Sequence, residues 1–272
     1  MEKLIQNIVF STDTNNAVLH SHRGYQLIYV CRGSIRLNVV GREYIVPPAS
    51  VIFISNLEQH TVEVLGDVYE RYTLKISMAA ADALLKNHKL LSIFSLRPEG
   101  FDHAISVKQI APRAESLLAE ILKEVTANEQ YAEDMCLLHI KNFLITLYRL
   151  SPDSFPSIND SAVEVVKDVK NYIQNNCSQQ LSLTDVCAHY QWSTYYLAHK
   201  FKQITGYGIK QYLLLCRLSL ASEWLCSTNR PVTDIAMEAG FTDINNFGRY
   251  FRREIGCSPT EYRSSSIKKV EE

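Results

Sequence analysis

Up to about Ser77 the chain alternates apolar and polar positions in short runs that end at turn residues. YQLIYVCRG, from Tyr25, is rich in β-branched and aromatic residues and stops at Gly33. SIRLNVVGREYIVPP reads as two strands that turn at Gly41 and end at Pro47 and Pro48. SVIFISN, HTVEVLG and VYERYTLKIS follow. Proline cannot donate to a ladder and glycine turns the chain, so this punctuation predicts many short strands and hence a β-barrel or sandwich.

The period then changes. AAADALLKNHKLLSIF is one helix candidate. APRAESLLAEILKEVTANE repeats Leu117, Leu118, Ile121, Leu122 and Val125 at helical spacing, with Pro112 near its first turn. AEDMCLLHIKNFLITLYRL offers Met135, Leu138, Phe143, Leu144 and Leu147 for burial. These stripes predict packing within the domain, with a dimer seam as the alternative. SPDSFPSIND, residues 151–160, holds two prolines and three serines and reads as a linker. The expected plan is α+β with two domains: 1–150, a linker at 151–160, and an all-helical domain at 161–265.

Within that second domain a pattern occurs twice. Thr184-Asp185-Val186 matches Thr233-Asp234-Ile235, and Trp192 matches Phe241, at one constant offset. After a one-residue adjustment, Phe201 matches Phe251, Lys202 matches Arg252, Gly206 matches Gly256 and Tyr212 matches Tyr262. Each copy reads as a threonine N-cap followed by an acid in the first turn, a short helix and a tight turn. A second N-cap (Ser193 or Asp243) then opens a second helix, which a glycine ends. That is helix-turn-helix, at 183–206 and again at 232–256.

The faces of the second helices divide by chemistry. Leu197, Phe201 and Ile204 share one side of the first, and Phe247, Phe251 and Ile255 one side of the second. Tyr195, Tyr196, Ala198, His199 and Lys202 remain outside in the first, and Ile244, Asn245, Asn246, Arg249, Arg252 and Arg253 in the second. Arg and Asn make bidentate contacts to guanine and adenine edges, and the other bases can hold phosphates. A single basic helix reads as a solvated face; two in matched frames read as a double-stranded DNA interface. The long helix expected between them, about Ile209 to Cys226, would fix their separation near the ~34 Å of one duplex turn.

Composition narrows the class. The 272 residues carry a net charge of −1, so bulk charge does not make the chain a polyanion binder. From Ser161 onward 13 basic and 11 acidic residues net +2, and the remainder nets −3. Seven scattered cysteines with no C-x-x-C pair predict reduced thiols and no zinc cluster. The first residues lack a signal-peptide pattern and no apolar run reaches membrane-spanning length, so a cytoplasmic protein without a membrane partner is expected.

RLSLASEWL, PVTDIAMEAGF and NNFGRYFRREIGCSP, within 217–259, resemble the AraC/XylS family of transcriptional regulators. The resemblance implies a seven-helix domain with two helix-turn-helix units. It would place Tyr195, Ala198 and His199, then Ile244, Asn245 and Arg249, at base-reading positions. Ala198 and Ile244 depart from polar readers, so Arg249 and Asn245 are expected to carry most discrimination. HSHRGYQLIYVCRG and REYIVPPASVIFISNLEQHTVEV are similar to the two motifs of a cupin-like sensor domain. The resemblance implies a small-molecule effector, and strand alternation offers His20, His22, Arg23, Tyr25, Tyr29, Phe53, His60 and Tyr72 as pocket lining. Arg23 would suit a carboxylate or sugar acid. His20, His22 and His60 stand where metal-binding cupins keep histidines, but Gln26 and Ala49 replace the usual Glu and Gly. No metal or other cofactor is therefore expected. The expected protein is an effector-responsive regulator, not an enzyme, probed against two alternatives: a metal-dependent cupin enzyme with an accessory DNA domain, and a binding protein whose units no longer touch DNA. RNA polymerase and a second copy of the chain are the further partners expected.

Overall fold

The computed structural model describes residues 4–78, 81, 88–98, 100–156, 162–181, 183–189 and 191–268. Compact packing divides the chain into two units, Met1–Val18 with His22–Ser157, and Leu19–Ser21 with Ile158–Glu272.

The first unit is built on one antiparallel sheet of β1 (Ile5–Ser11), β2 (Ala17–His20), β3 (Tyr25–Val39), β4 (Arg42–Val46), β5 (Ser50–Ile54), β6 (His60–Ile76) and β7 (Ala104–Ser106). The main order is β1-β6-β3-β5-β7, with β2 on β6 and β4 on β3. Gly33 does not end its strand as expected. β3 runs on through it, and β6 likewise passes Gly66, with register shifts between Val30 and Ser34. The physical reason is a close crossing. A Cβ on Gly33, at φ 81°, would lie 1.9 Å from the Val68 carbonyl oxygen. Glycine lets the two long strands bend together there instead of stopping. The turn at Val40-Gly41 is as read, with both residues at positive φ (49° and 81°), the geometry that matches strand twist.

Bending places two kinds of side chain on the two faces. Ile28, Val30, Ile35, Leu37, Val39, Val46, Ile52, Ile54, Val62 and Tyr69 form one cluster inside the folded sheet. Alternate residues such as Leu27, Tyr29, Val51, Phe53 and Leu74 form another with the helices α1 (His88–Ser95), α2 (Ala111–Ala127) and α3 (Ala132–Leu150). The remainder of the first expected helix lies outside the described residues. Residues 151–156 are not a free linker: Phe155 is buried against Tyr148, with ring centroids 5.2 Å apart, and its carbonyl accepts from Lys89. An aromatic ring inside a Pro/Ser stretch can bury as much apolar area as a core residue, which is enough to dock it. The rest of the expected linker, 157–160, lies outside the described residues.

A buried ionic cluster sits at one end of the sheet. Glu58 takes Arg97 through Nε at 2.7 Å and NH2 at 2.8 Å, and His103 Nε2 lies 3.0 Å away. Burial works to raise the Glu58 pKa. The Arg97 charge and the hydrogen bonds from His103 and Arg97 outweigh it and hold the carboxyl well below the usual range. All seven cysteines are free thiols, and burial pushes Cys31 up to about 12 and Cys136 to about 11.

The second unit shows seven helices among the described residues: α4 (Ala162–Asn176), α5 (Thr184–His189), α6 (Thr194–Thr205), α7 (Ile209–Ser227), α8 (Val232–Glu238), α9 (Ile244–Ile255) and α10 (Pro259–Lys268). Its second half packs Leu218, Ala221 and Leu225 of α7 against Ile235, Phe241, Phe247, Phe251 and Ile255. Full burial of each Phe is worth about 2–3 kcal/mol. Among the described residues no helix is long and apolar enough to cross a membrane.

Candidate nucleic-acid interface and the inner face of the sheet

The two helix-turn-helix units repeat at the level of single hydrogen bonds. Trp192 N–H donates to Cys187 O at 2.8 Å, and its counterpart Phe241 N–H donates to Ala236 O at 3.1 Å. Gln191 N–H donates to Ala188 O, and Gly240 N–H to Met237 O. Ser193 Oγ caps α6 by accepting from Tyr196 N–H, and Asp243 caps α9 by accepting from Asn245 N–H. Gly206 and Gly256 end these helices in the left-handed region. Both expected threonine caps differ: Thr184 is the first residue of α5 itself, where Cys187 N–H donates to Leu183 O. Pro231 stands at the N-cap of α8 and Thr233 lies inside the helix, bonded to Asp234 Oδ1. The helix thus starts two residues earlier than a Thr233 cap would set it, on a proline whose fixed φ and missing N–H suit a helix start. The Asp185 side chain lies outside the described residues.

Capping and core burial leave one face of each second helix to solvent. On α6, Tyr195 is 81 % exposed, and Tyr196, Ala198, His199 and Lys202 are exposed as well. Tyr196 is braced by Trp192, edge to face at 4.8 Å, with Lys200 Nζ 5.7 Å from its ring. On α9, Ile244, Asn245, Arg249, Arg252 and Arg253 are exposed, and Asn246 is half-buried. Arg249 NH2 donates to Asn246 Oδ1 at 2.9 Å, and Arg249 and Arg253 both lie over the Tyr250 ring, at 5.3 and 4.9 Å. The acid in α9, Glu254, is buried and accepts from Arg253 Nε at 2.6 Å. Neither helix therefore exposes a carboxylate. All eleven residues expected at the DNA surface are on α6 or α9, and Asn246 differs in being partly covered and engaged with Arg249.

A residue the sequence reading did not single out, Arg217, holds this arrangement. Arg217 on α7 donates through Nε to Cys177 O at 2.7 Å and through NH2 to Gln179 O at 3.0 Å, which ties α7 to the chain after α4. Gly240 fits against the same place: a Cβ there would meet Ser178 O, Arg217 Nε and Cys177 O within 2.9 Å.

In the sheet the expected pocket lining is divided. His60 pairs with Val39 and Gln26 with Ile54, so both are on the inner face. His22 Nε2 lies 2.5 Å from Gln26 Oε1, and His22 meets His60 edge to face at 5.4 Å. His20 is half-buried and falls in the other unit, apart from His22 and His60. Arg23 is half-buried. Tyr25, Tyr29, Phe53 and Tyr72 correct the expectation. They face the helices: Tyr25 and Phe53 contact Phe94, Tyr29 OH donates to Glu115 Oε1 at 2.8 Å, and Tyr72 lies against Phe10. Strand alternation separates two faces but does not say which one the helices will cover. That is settled by the apolar stripes of α1, α2 and α3.

Residues 11–139 match the AraC-like ligand binding domain and residues 186–265 a helix-turn-helix domain. SoxS of Salmonella typhimurium is 32 % identical over 100 residues, 37 % of this chain and 94 % of that one. The chain belongs to the AraC family of DNA-binding transcriptional regulators. RhaR of Mannheimia succiniciproducens, an HTH-type transcriptional activator, is 27 % identical over 197 residues, 69 % of this chain and 70 % of that one. ToxT of Vibrio cholerae superposes with a TM-score of 0.67 over 96 % of this chain and 98 % of its own at 14 % identity, a likeness of fold. SoxS and RhaR are regulators and give no support to a cupin enzyme.

Proposed function

We propose that the chain is an effector-responsive transcriptional activator, not an enzyme, that works in the cytoplasm as a homodimer and engages RNA polymerase at its promoters. The observation that carries the reading is the pair of matched units, each with its carboxylates absent or buried on the exposed face of its second helix. α6 and α9 enter successive major-groove segments of one operator, with Arg249 and Asn245 reading base edges and Lys202, Arg252 and Arg253 on phosphates. Selection of genomic fragments on the purified full-length protein tests it. One enriched motif with two boxes about a helical turn apart, lost in Arg249→Ala, supports the reading; retention without sequence preference sinks it.

The dimer reading rests on α3. Met135, Leu138, Asn142 and Ile145 repeat at alternating spacings of three and four, and all are exposed, Leu138 at 58 %; Tyr131, at the N-cap, is 68 % exposed beside them. That is a coiled-coil seam with an Asn in it, the residue type that fixes register. An antiparallel pairing of two copies that layers Met135 on the partner's Leu138 also sets Asp134 against the partner's Lys141, twice. Asn142 then meets the partner's Tyr131.

A further inference from the structure

The two exposed helix faces differ at equivalent places. Counted from the N-caps Ser193 and Asp243, Tyr195 stands where Asn245 does, Ala198 where Gly248 does and His199 where Arg249 does. On α9 these places carry an amide and a guanidinium, each able to make a paired contact to one base. On α6 none of the three can. A phenol has one hydroxyl, alanine has no polar group, and an imidazole turns a single nitrogen to a base edge.

What α6 presents instead is apolar surface. Tyr195 is the most exposed large apolar side chain among the described residues, and Ala198 is exposed as well. Three residues apart on a helix, the two are neighbours on one face. Tyr196 flanks them, its ring held edge to face against Trp192. Leu197 and Phe201 are buried on the opposite side, so the stripe of Tyr195, Ala198 and His199 is what α6 turns outward. In the major groove the thymine methyl is the one apolar group a base pair shows; adenine, guanine and cytosine show donors and acceptors there.

We propose that α6 recognises thymine methyl groups, so that its half of the operator is set by A·T pairs while the α9 half is set by guanine and adenine edges. The Tyr195 ring covers one methyl, Ala198 lies against another, and His199 adds a single hydrogen bond. The proposal rests on the reading of α6 and α9 as a DNA interface.

The test uses the full-length protein and the operator recovered by genomic selection, its α9 half being the one whose preference Arg249→Ala relaxes. Uracil in place of thymine removes the methyl and keeps the pairing; deazaguanine lacks the N7 acceptor. Uracil throughout the α6 half is expected to weaken wild-type binding about tenfold, and deazaguanine there to change it less than about twofold. Deazaguanine in the α9 half is expected to cost about tenfold. Tyr195→Phe keeps the ring and is expected to keep the uracil effect. Tyr195→Ala is expected to bind the thymine operator more weakly and to lose most of the uracil effect. Both variants are expected to melt with wild type, because the side chain they alter is exposed. Undiminished binding to the uracil-substituted α6 half overturns the proposal, as does a Tyr195→Phe that loses as much as Tyr195→Ala. Wild-type operator binding by Tyr195→Ala also overturns it and leaves the two tyrosines to a protein partner. In each of these cases an operator with two boxes still supports the DNA reading, whereas a selection that enriches no motif takes down both.

Discussion

Gln191 and Gly240 occupy the same corner of the two helix-turn-helix units, both in the left-handed region, at φ 55° and 95°. One unit fills the corner with glycine and the other with a side chain that pays about 1 kcal/mol for the conformation. Gln191→Gly is therefore expected to raise stability by several tenths of a kcal/mol or more, while Gly240→Ala is expected to lower it by about 2–4 kcal/mol, since its Cβ has backbone carbonyls against it. Urea denaturation followed by helical circular dichroism checks both signs.

Arg249 is pre-positioned by Asn246, whereas Arg252 has no such partner among the hydrogen bonds of α9. Arg249→Ala should cost about 1–3 kcal/mol on the selected operator and relax preference at one base pair. Arg252→Ala should weaken all sequences alike and reduce the slope of log K against log salt by about 1. Identical behaviour of the two variants would remove the distinction between reading and holding.

Asp134 and Lys141 provide a charge-swap test of the α3 seam. Leu138→Arg should give a monomer in sedimentation equilibrium. Asp134→Lys and Lys141→Asp should each weaken association by about 1 kcal/mol, from two exposed pairs per dimer, and the double variant should restore it. Additive weakening in the double variant would rule out the antiparallel register.

The Glu58 pair predicts behaviour in acid. The folded-state pKa of Glu58 is depressed, so its contribution is complete above the unfolded value of about 4.3 and is lost as pH falls through the folded value. Glu58→Gln leaves Arg97 buried without its counter-charge and should cost about 3–5 kcal/mol at pH 7. The gap between variant and wild type should narrow below about pH 4, which thermal melts across pH will show.

Tyr69 is 2 % exposed, and its hydroxyl has no hydrogen-bond partner among the described residues. Tyr69→Phe should stabilise the sheet domain by about 1 kcal/mol. A destabilised variant would mean that the hydroxyl is satisfied by an ordered water.

The helix-turn-helix units were legible because their chemistry is local. Ser193, Asp243, Gly206 and Gly256 act on their own helices, and Phe247, Phe251 and Ile255 announce a face by spacing alone. Proline at the start of α8 moved its cap, and with it the first turn, two residues up the chain. The sheet was legible as strands but not as surfaces. Gly33 looks like a stop in sequence and is a crossing point in space, because what matters there is Val68, far along the chain. Tyr25, Tyr29, Phe53 and Tyr72 looked like pocket lining until the helices claimed their face.

The two reading helices follow one another along a single chain, and their exposed surfaces are unlike. α6 offers tyrosines and an imidazole, and α9 offers arginines and an amide. A two-fold symmetric reader fits its site equally well after being turned around; a tandem of unequal heads does not. On the proposed reading, a DNA site bound by one copy has a front and a back. Reversing it end for end relative to the transcription start would point the protein away from the gene.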